Sequence, residues 1–347
     1  MVNPLISVVM PIYNPTEYLP EAIESIIHQT FPHFEFIIIS DDSSEKTRAI
    51  LDDYQTRDKR IHVYHQQRTG LVSSLNRGFH LAKGKYIARM DGDDISLPGR
   101  FEKQYNYLEK HPETGICGTW MEYTDEHGTT LHRPKTPASH NLLAWQIFFS
   151  SPFDHPTVMI RKDIVEKAGF YHPEKKYAED YDLWTRLFFI TKFANIPEFL
   201  VKYRSHSHNI SSVHATDMAT MSDRIKLELI ENFLPKEQLQ GVEPDKIQNL
   251  WNPAVLGTAQ IKEQVRLLHL LHLNFLRKFH LTKTEKREVS HDIITRYVRY
   301  AYHSSQKSKF LSLVICCNAC KISPKIFFDQ IIIFLRAKIT FRAKHVP

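Results

Sequence analysis

Four short apolar runs alternate with amphipathic stretches over the first 90 residues, and this order constrains the fold more than any other feature of the chain. The runs have the length and residue types of buried strands: Ile6 to Ile12, Phe34 to Ile39, Ile61 to Tyr64 and Tyr86 to Met90. The stretches between them carry apolar residues at helical spacing: residues 16–28, 45–54 and 71–81. Buried strands that alternate with helices predict an α/β fold, Rossmann-like, with a mostly parallel sheet flanked by helices. Ligands of such sheets bind at the carboxyl ends of the strands.

The same pattern continues, less regularly, to about residue 214. It predicts helices over 98–110, 139–149 and 181–189, and strands over 115–123, 157–161 and 199–203. After His214, long charged helical stretches dominate, interrupted by the proline- and glycine-containing segment 234–244 and by Asn252-Pro253. We therefore expect an α/β domain over residues 1–214 and a helical C-terminal region over residues 215–347.

Positive charge is concentrated at the end of the chain. The formal net charge is +6, but residues 301–347 hold eight Lys or Arg against one acid, which is +7 (8 − 1) and leaves −1 for the rest. The chain opens with neither a basic segment nor a long apolar one, so we expect no signal peptide. Its apolar runs are far shorter than the ~20 residues of a membrane-spanning helix. We expect a cytoplasmic protein.

Three acidic residues follow the fourth predicted strand, in the segment Asp91-Gly92-Asp93-Asp94. Such acids repel one another, and the capping of a helix explains at most one of them. Residues two apart on an extended segment face the same side, so Asp91 and Asp93 can converge on one cation. Mg²⁺ and Mn²⁺ prefer carboxylate oxygens and keep positions open for phosphate oxygens. The segment therefore favours a site for a diphosphate, with a solvated acidic turn as the alternative.

A second acidic pair, Asp41-Asp42, stands at the end of the second predicted strand. Acids at this position can stabilise the N-terminus of the following helix. The alternative is that one of them accepts a hydrogen bond from a nucleobase N–H. The residues alone leave both interpretations open.

These segments together resemble glycosyltransferase family 2, the nucleotide-sugar transferases with the GT-A fold. The resemblance rests on an ordered set of motifs: Ser7 to Asn14, Gln29-Thr30-Phe31, Ile37 to Ser44, Gly70-Leu71 with Asn76, Ala82 to Ile87, Asp91 to Asp94, and Pro98 with Arg100. It extends from about residue 5 to residue 212. One departure is Ser43-Ser44, where the family usually has Gly-Ser.

The resemblance implies a role for each matching position. Asp42 would bind a uracil-type base, and Pro11 and Tyr13 would shape the same nucleotide pocket. Asp91 and Asp93 would serve ribose and metal, either Mn²⁺ or Mg²⁺, and Asp94 could share the metal. Residues 1–95 would then bind the nucleotide-sugar, and residues 96–214 would form the acceptor side of the catalytic domain.

Glu179-Asp180 at the start of a predicted helix resembles the family's Glu-Asp motif. By that match Asp180 is the general base, since an inverting displacement at the anomeric carbon needs a carboxylate to take the acceptor's proton. Glu179 would lie beside it on the acceptor side. Acids in the first turn of a helix also have a purely structural use. By resemblance, His155 lines the acceptor side, and His206 lies near the donor phosphates and completes the metal shell.

The resemblance implies a metal-dependent, inverting transfer of a sugar from a nucleotide-diphosphate sugar, with a UDP-sugar as the expected donor, to an acceptor hydroxyl. A saccharide or lipid-linked saccharide of a surface polysaccharide or lipopolysaccharide is the expected acceptor. The alternatives are an Asp-dependent phosphohydrolase and a non-catalytic, membrane-associated adaptor that binds nucleotide-sugars. A dehydrogenase is excluded, because the turn after the first strand, Pro11 to Thr16, lacks the glycines of a dinucleotide site.

Basic residues alternate with bulky apolar ones in the tail, from Lys307 to Lys344. This texture suits amphipathic helices that lie on an anionic membrane, with the apolar face at the headgroup boundary. Nucleic-acid binding would favour fewer aliphatic side chains, so we expect no nucleic-acid partner. We expect a peripheral location on the cytoplasmic face of a membrane; packing on the catalytic domain is the alternative.

Overall fold

The computed structural model describes residues 4–13, 17–207, 209, 213–240 and 250–343, with side chains described through residue 333. Asn14 of the opening motif lies outside the described residues. The chain divides into two compact units, Met1–Ile225 and Lys226–Pro347. The expected assignment of residues 1–214 as the catalytic domain remains a prediction about function.

Four parallel strands form the first half of the sheet. The elements in chain order are β1 (Ile6–Ile12), α1 (Leu19–Ile27), β2 (Phe34–Asp41), α2 (Glu45–Arg57), β3 (Ile61–Gln66), α3 (Leu71–Leu81) and β4 (Tyr86–Arg89). Strand β1 pairs in parallel with both β2 and β4, and β2 pairs in parallel with β3. Every residue of β1, β2 and β4 is buried, as continuous apolar runs predict.

The second half of the sheet is mixed. Its elements are β5 (Ile95–Ser96), α4 (Arg100–Lys110), β6 (Thr114–Thr124), β7 (Thr130–His132), α5 (His140–Gln146), β8 (Met159–Arg161), α6 (Lys162–Ala168), α7 (Glu179–Leu187) and β9 (Lys192–Arg204). The strand order is β3-β2-β1-β4-β8-β6-β9-β5, with β7 paired to β6. Strand β8 is antiparallel to both of its neighbours, whereas β6 and β9 are parallel. The predicted α/β class with a mostly parallel sheet is confirmed.

Helices cover both faces of β1 and β2. Alternate residues of these strands, such as Val8 and Ile38, belong to a core that includes Leu19 and Ile23 of α1 and Phe101 of α4. The residues between them face α3 on the other side. A Cβ on Gly78 of α3 would lie 2.4 Å from Cγ1 of Val9, so this glycine permits the helix to approach the sheet closely.

The second unit is helical, as expected. It holds the end of α8 (Ala215–Phe233) and then α9 (Thr258–Lys278), α10 (Lys283–Ser305), α11 (Lys309–Ile322) and α12 (Pro324–Ala343). Helix α10 begins with a capping box, in which Thr282 accepts from the Glu285 N–H and the Glu285 carboxylate accepts from the Thr282 N–H. Among the described residues, every helix is too short or too polar to cross a membrane.

Candidate active site

The strands β1, β2 and β4 end at one edge of the sheet, and the residues that follow them form the candidate site. Ile12 of β1 is paired with Ser40 of β2, and Val9 of β1 is paired with Arg89 of β4. Because the strands are parallel, the chain leaves β1, β2 and β4 at the same edge, after Ile12, Asp41 and Arg89. This register brings Tyr13, the Asp41-Asp42 pair and the Asp91–Asp94 segment to the same edge.

The three acids after β4 converge. Carboxylate oxygens of Asp91, Asp93 and Asp94 lie within 4.8 Å of one another. Gly92 permits the turn, because a Cβ there would lie 2.9 Å from Cγ2 of Ile12. The predicted meeting of Asp91 and Asp93 is therefore present in the structure, and Asp94 joins them.

Asp94 is the most deeply buried of the three. Its side chain is inaccessible to solvent, and Oδ1 accepts a hydrogen bond of 3.1 Å from the backbone N–H of Arg204. Its Oδ2 is also buried and has no hydrogen-bond partner among the described residues. A buried carboxylate oxygen without a partner is costly, and a cation would satisfy it. The site therefore fits a hard divalent ion, in its oxygen donors and in this orphaned atom.

Burial and mutual repulsion act on the same acids. Burial raises the pKa of Asp91 to about 6; the Arg89 guanidinium opposes this shift and the Asp93 charge adds to it. Burial, then the charges of Asp93 and Asp91, raise the pKa of Asp94 well above its usual value. The positive charge of a divalent cation would offset the repulsion between these carboxylates.

His206 joins this cluster from the end of β9. Its Nε2 lies 3.0 Å from Oδ2 of Asp93, and its ring stacks on Tyr18 with 5.7 Å between centroids. The backbone N–H of His206 donates to Oδ1 of Asn209 at 2.6 Å. The expected position of His206 beside the acidic segment is thus found, whereas its role as a ligand remains a prediction.

Arg204, which was not predicted as a site residue, links the acidic segment to neighbouring elements. Its Nε donates to the backbone oxygen of Asp93 at 3.2 Å, and its Nη2 donates to Oε2 of Glu21 at 2.5 Å. The guanidinium lies 4.3 Å above the ring of Tyr18. These contacts tie the acidic segment to α1 and to β9.

The two acids at the end of β2, Asp41 and Asp42, have different surroundings. Asp41 is buried and accepts hydrogen bonds of 2.8 Å from the backbone N–H groups of Thr69 and Gly70, and one of 2.9 Å from the Gln66 amide. Although burial acts to raise it, these donors hold the pKa of Asp41 below its usual value. Asp41 therefore anchors the loop that precedes α3.

Asp42, in contrast, is exposed and has a left-handed backbone with φ +53°. This conformation is uncommon for a residue with a Cβ and costs on the order of 1 kcal/mol. This backbone conformation turns the chain so that Asp41 faces inward, whereas Asp42 is exposed and available to a ligand. Nearby, Pro11 is buried, and Tyr13 is 46% exposed with the Arg68 guanidinium 4.4 Å above its ring.

Glu179 and Asp180 begin α7, and an unusual backbone precedes them. Tyr177, two residues before Glu179, has φ +71°. Oδ1 of Asp180 accepts the N–H of Tyr181 at 2.7 Å. Burial is the main cause that raises the pKa of Asp180 to about 6 and that of Glu179 to about 7. Oε2 of Glu179 is buried and finds no hydrogen-bond partner in the described part of the chain. The pair is thus more basic than ordinary carboxylates.

His155 packs against Trp184 of α7, the helix that begins with this pair. Its Nε2 is 2.8 Å from the hydroxyl of Tyr171, and its ring meets Trp184 edge to face. Burial, with the Arg89 charge adding to it, lowers the pKa of His155 well below its usual value, so the ring is neutral. Trp184 is fully buried, as expected of a core residue.

Arg89 pairs with one acidic group, and its charge acts on the other. Its Nη1 forms an ion pair with Oδ2 of Asp91, and its charge also acts on Glu179 and Asp180. Its side chain is 5% exposed. Arg89 was not predicted from the sequence, because a basic side chain inside an apolar strand has no motif of its own. Its position two residues before Asp91 was the available signal.

The fold is the one expected of a GT-A glycosyltransferase, and comparisons with known proteins agree with this class. A solved structure of residues 1–349 of S. aureus TarS, in complex with UDP-GlcNAc, superposes with a TM-score of 0.56 at 18% identity. The match covers 93% of this chain and 90% of that one, and it shows a shared fold.

The chain belongs to glycosyltransferase family 2. The sequence model described as Glycosyl transferase family 2 matches residues 7–169. An uncharacterized glycosyltransferase of Haemophilus influenzae is 35% identical over 243 residues, which are 67% of this chain and 75% of that protein. The O-antigen biosynthesis glycosyltransferase WbnJ of Escherichia coli is 34% identical over 239 residues, 66% of this chain and 92% of WbnJ. The protein is a glycosyltransferase.

Proposed function

We propose that this enzyme transfers a sugar from a uridine-diphosphate sugar to an acceptor hydroxyl, with inversion at the anomeric carbon and with a divalent cation bound. One observation carries the proposal. The acids Asp91, Asp93 and Asp94 converge at the strand ends, with the buried Arg89 paired to Asp91. The charge of this arginine also acts on the basic carboxylates Glu179 and Asp180. The first group suits a diphosphate leaving group, and the second suits a general base.

Uracil is the base we favour. Asp42 is exposed at the sheet edge and can accept the N3–H of uracil, while Tyr13 and the stacked Arg68 guanidinium offer a flat surface beside it. The fold neighbour TarS was solved with UDP-GlcNAc, which supports this choice of donor.

Asp93, Asp91, Asp94 and His206 would hold Mn²⁺ or Mg²⁺. When bound, such an ion neutralises negative charge on the diphosphate as the glycosidic bond breaks. The protein residues fix its position: Arg204 holds the backbone of Asp93, and the Arg204 N–H holds one oxygen of Asp94.

Asp180 is the proposed general base. A carboxylate with a pKa of about 6 is ionised at neutral pH and takes a proton more readily than an ordinary aspartate. The next residue, Tyr181, donates a hydroxyl hydrogen bond to the Ile147 carbonyl, which restricts movement at the start of α7. His155 and Glu179 would line the acceptor side.

The acceptor we propose is a saccharide or lipid-linked saccharide of a surface polysaccharide. The relative WbnJ, named for O-antigen biosynthesis, supports this class. A surface on α11 and α12 is consistent with a lipid-linked acceptor. Phe310 and Leu313 are 77% and 61% exposed, and Phe328 and Ile333 are 58% and 57% exposed.

These four side chains, which we call the apolar surface, lie among Lys309, Lys321 and Lys325 in the sequence. We propose that the apolar surface and its lysines bind anionic lipid. The opposite side of α11 is packed, since Ile315 and Ala319 are fully buried and α11 contacts α10. Side chains from residue 334 onward, including Ile339 and Phe341, and the whole of Lys344 lie outside the described residues.

The test is a screen of the purified chain against UDP-, dTDP- and GDP-sugars with a lipid-linked saccharide acceptor, with Mn²⁺ or with EDTA. Mass spectrometry detects the product, and the proton coupling constant of the new linkage gives its anomeric configuration. We expect transfer from an α-linked UDP-sugar to give a β-linked product, dependent on the cation. A product that keeps the donor's configuration, or full turnover in EDTA, would contradict the mechanism proposed here.

A further inference from the structure

Arg89 has surroundings that a purely structural arginine does not need. Its side chain is buried, and its Nη1 is paired with Asp91. The Nε–H is buried and has no hydrogen-bond partner within the described ranges. A buried donor left unsatisfied costs about 1–3 kcal/mol.

Arg161 on the neighbouring strand provides the comparison. Its Nε donates to the Thr114 carbonyl at 2.8 Å, and its Nη2 donates to the carbonyls of Leu108 and His111. Its Nη1 reaches the Tyr86 hydroxyl at 3.0 Å, at the opposite end of β4 from Asp91. Arg161 thus shows how an arginine in this sheet is satisfied when its role is to join elements together.

The charges around Arg89 point to a different role. Three acids lie within a few ångström of one another, and Arg89 is ion-paired with the first of them. An oxygen of Asp91 that accepts from a guanidinium has less electron density to offer a metal ion. The fixed positive charge also opposes the arrival of a divalent cation at the same cluster.

We propose that Arg89 is a positioning residue that competes with the divalent cation for Asp91, and that it thereby weakens metal binding while it holds Asp91 in place for the donor. The inference rests on the metal site under the proposed function. Competition by Arg89 would leave the cluster with a moderate affinity for the cation when no donor is bound. The diphosphate oxygens of the donor would then complete the site. After transfer, the bound cation and the nucleotide diphosphate product would leave together more readily than from a cluster of three unopposed acids.

The experiment measures Mn²⁺ binding alone, without donor or acceptor. The EDTA-treated and dialysed full chain is titrated with Mn²⁺ at pH 8, and the EPR signal reports the unbound ion. We expect Arg89→Met to bind Mn²⁺ about tenfold or more tightly than the wild type, because an opposing charge has been removed. Its kcat for transfer should fall about 100-fold, because Asp91 is no longer held. Arg89→Lys, which keeps the charge, should bind Mn²⁺ within about threefold of the wild type.

Arg161→Met is the matched control. It removes a satisfied arginine from the adjacent strand, so it should lower the melting temperature and leave Mn²⁺ affinity unchanged. Unchanged or weaker Mn²⁺ binding by Arg89→Met would overturn the inference, since a structural arginine predicts that result. If Arg89→Met does not fold, Arg89→Gln, which keeps a hydrogen-bond donor without the charge, decides the question by the same criterion. A wild-type chain that binds no Mn²⁺ would instead reject the proposed metal site.

Discussion

Nε2 of His206 lies 3.0 Å from Oδ2 of Asp93, although the two residues are 113 positions apart in the chain. The contact joins the segment after β4 to the end of β9. A histidine held beside a carboxylate has a fixed ring orientation, which favours metal ligands and the residues that orient them. The pair is therefore the place to test metal dependence.

Asp93→Asn should lower the rate of sugar transfer by about three orders of magnitude, because a charged ligand to the cation is lost. His206→Ala should lower it by about 10- to 100-fold. Transfer is measured across a range of Mn²⁺ concentrations, and both variants should require more Mn²⁺ than the wild type. Asp53→Asn, at an exposed position of α2, serves as the control and should behave as the wild type. Wild-type rates for Asp93→Asn would remove this residue from the metal site.

Asp180→Asn should reduce kcat by at least about 1,000-fold while the affinity for UDP stays within about twofold, because an amide keeps the shape but accepts no proton. In the wild type, the base must be ionised to act. With its pKa raised to about 6, transfer should decline as the pH falls through about 6. Single-turnover rates between pH 5 and 8 and equilibrium binding of UDP test both statements. A flat pH profile would count against Asp180 as the base.

The same substitution should stabilise the protein. Burial raises the pKa of Asp180 from 3.8 to about 6. The folded state therefore loses stability as the pH rises between these values, because the charge must form in a buried place. Asparagine carries no charge, so Asp180→Asn should be more stable at pH 7.5 by about 1–3 kcal/mol. Thermal melts should show a difference of a few degrees at pH 7.5 that shrinks toward pH 4. A difference independent of pH would point to packing instead.

Substitutions of Asp41 and of Asp42 should have opposite effects on stability. Asp41→Ala should destabilise the fold by about 2–4 kcal/mol, since the N–H groups of Thr69 and Gly70 lose their buried acceptor. Asp42→Gly should keep or raise stability by about 1 kcal/mol, because glycine adopts φ +53° without strain. Its affinity for UDP should nevertheless fall about tenfold or more. Urea denaturation and UDP titration separate the two effects; a tight UDP complex of Asp42→Gly would move base recognition elsewhere.

The apolar surface can be tested without removing α11, whose other side is packed. Phe310→Ser with Leu313→Ser should abolish sedimentation with vesicles that contain anionic lipid at low salt, and should leave transfer to a soluble acceptor intact. Leu131→Ser, at an exposed position of β7, is the control for loss of exposed apolar area. Failure of the wild type to sediment with anionic vesicles would reject the lipid proposal.

Most of the nucleotide half of the fold could be predicted from sequence, because β1, β2 and β4 are continuous buried runs and their periodicity is unambiguous. The short strands β5 and β7 were missed, since two or three residues carry no period. Strand β9 begins at Lys192, seven residues before the predicted start at Phe199. The earlier part was not predicted as a strand because it contains Pro197, and proline is disfavoured inside strands.

The candidate site divides in the same way. The acids after β2 and β4 could be located, because their position depends on local sequence and on the geometry of parallel strands. The different tasks of Asp41 and Asp42 could not, since the backbone angle of Asp42 depends on the pairing of its neighbours. Arg204 was missed for a related reason: its partners Asp93 and Glu21 come from distant parts of the chain. Arg89 was missed although its partner Asp91 is two residues away, because an arginine inside an apolar strand has no motif of its own.

The left-handed backbone at Asp42 also has an evolutionary consequence. Among the residues that one nucleotide change reaches from an aspartate codon, asparagine and glycine accept this conformation best. Lineages that recruit a different nucleotide donor would therefore pass through those two residues at position 42, or leave it alone and diversify at Tyr13 and Arg68, whose side chains stack without such a constraint. Comparison of related genes with different donors should show variation at positions 13 and 68 far more often than at 42.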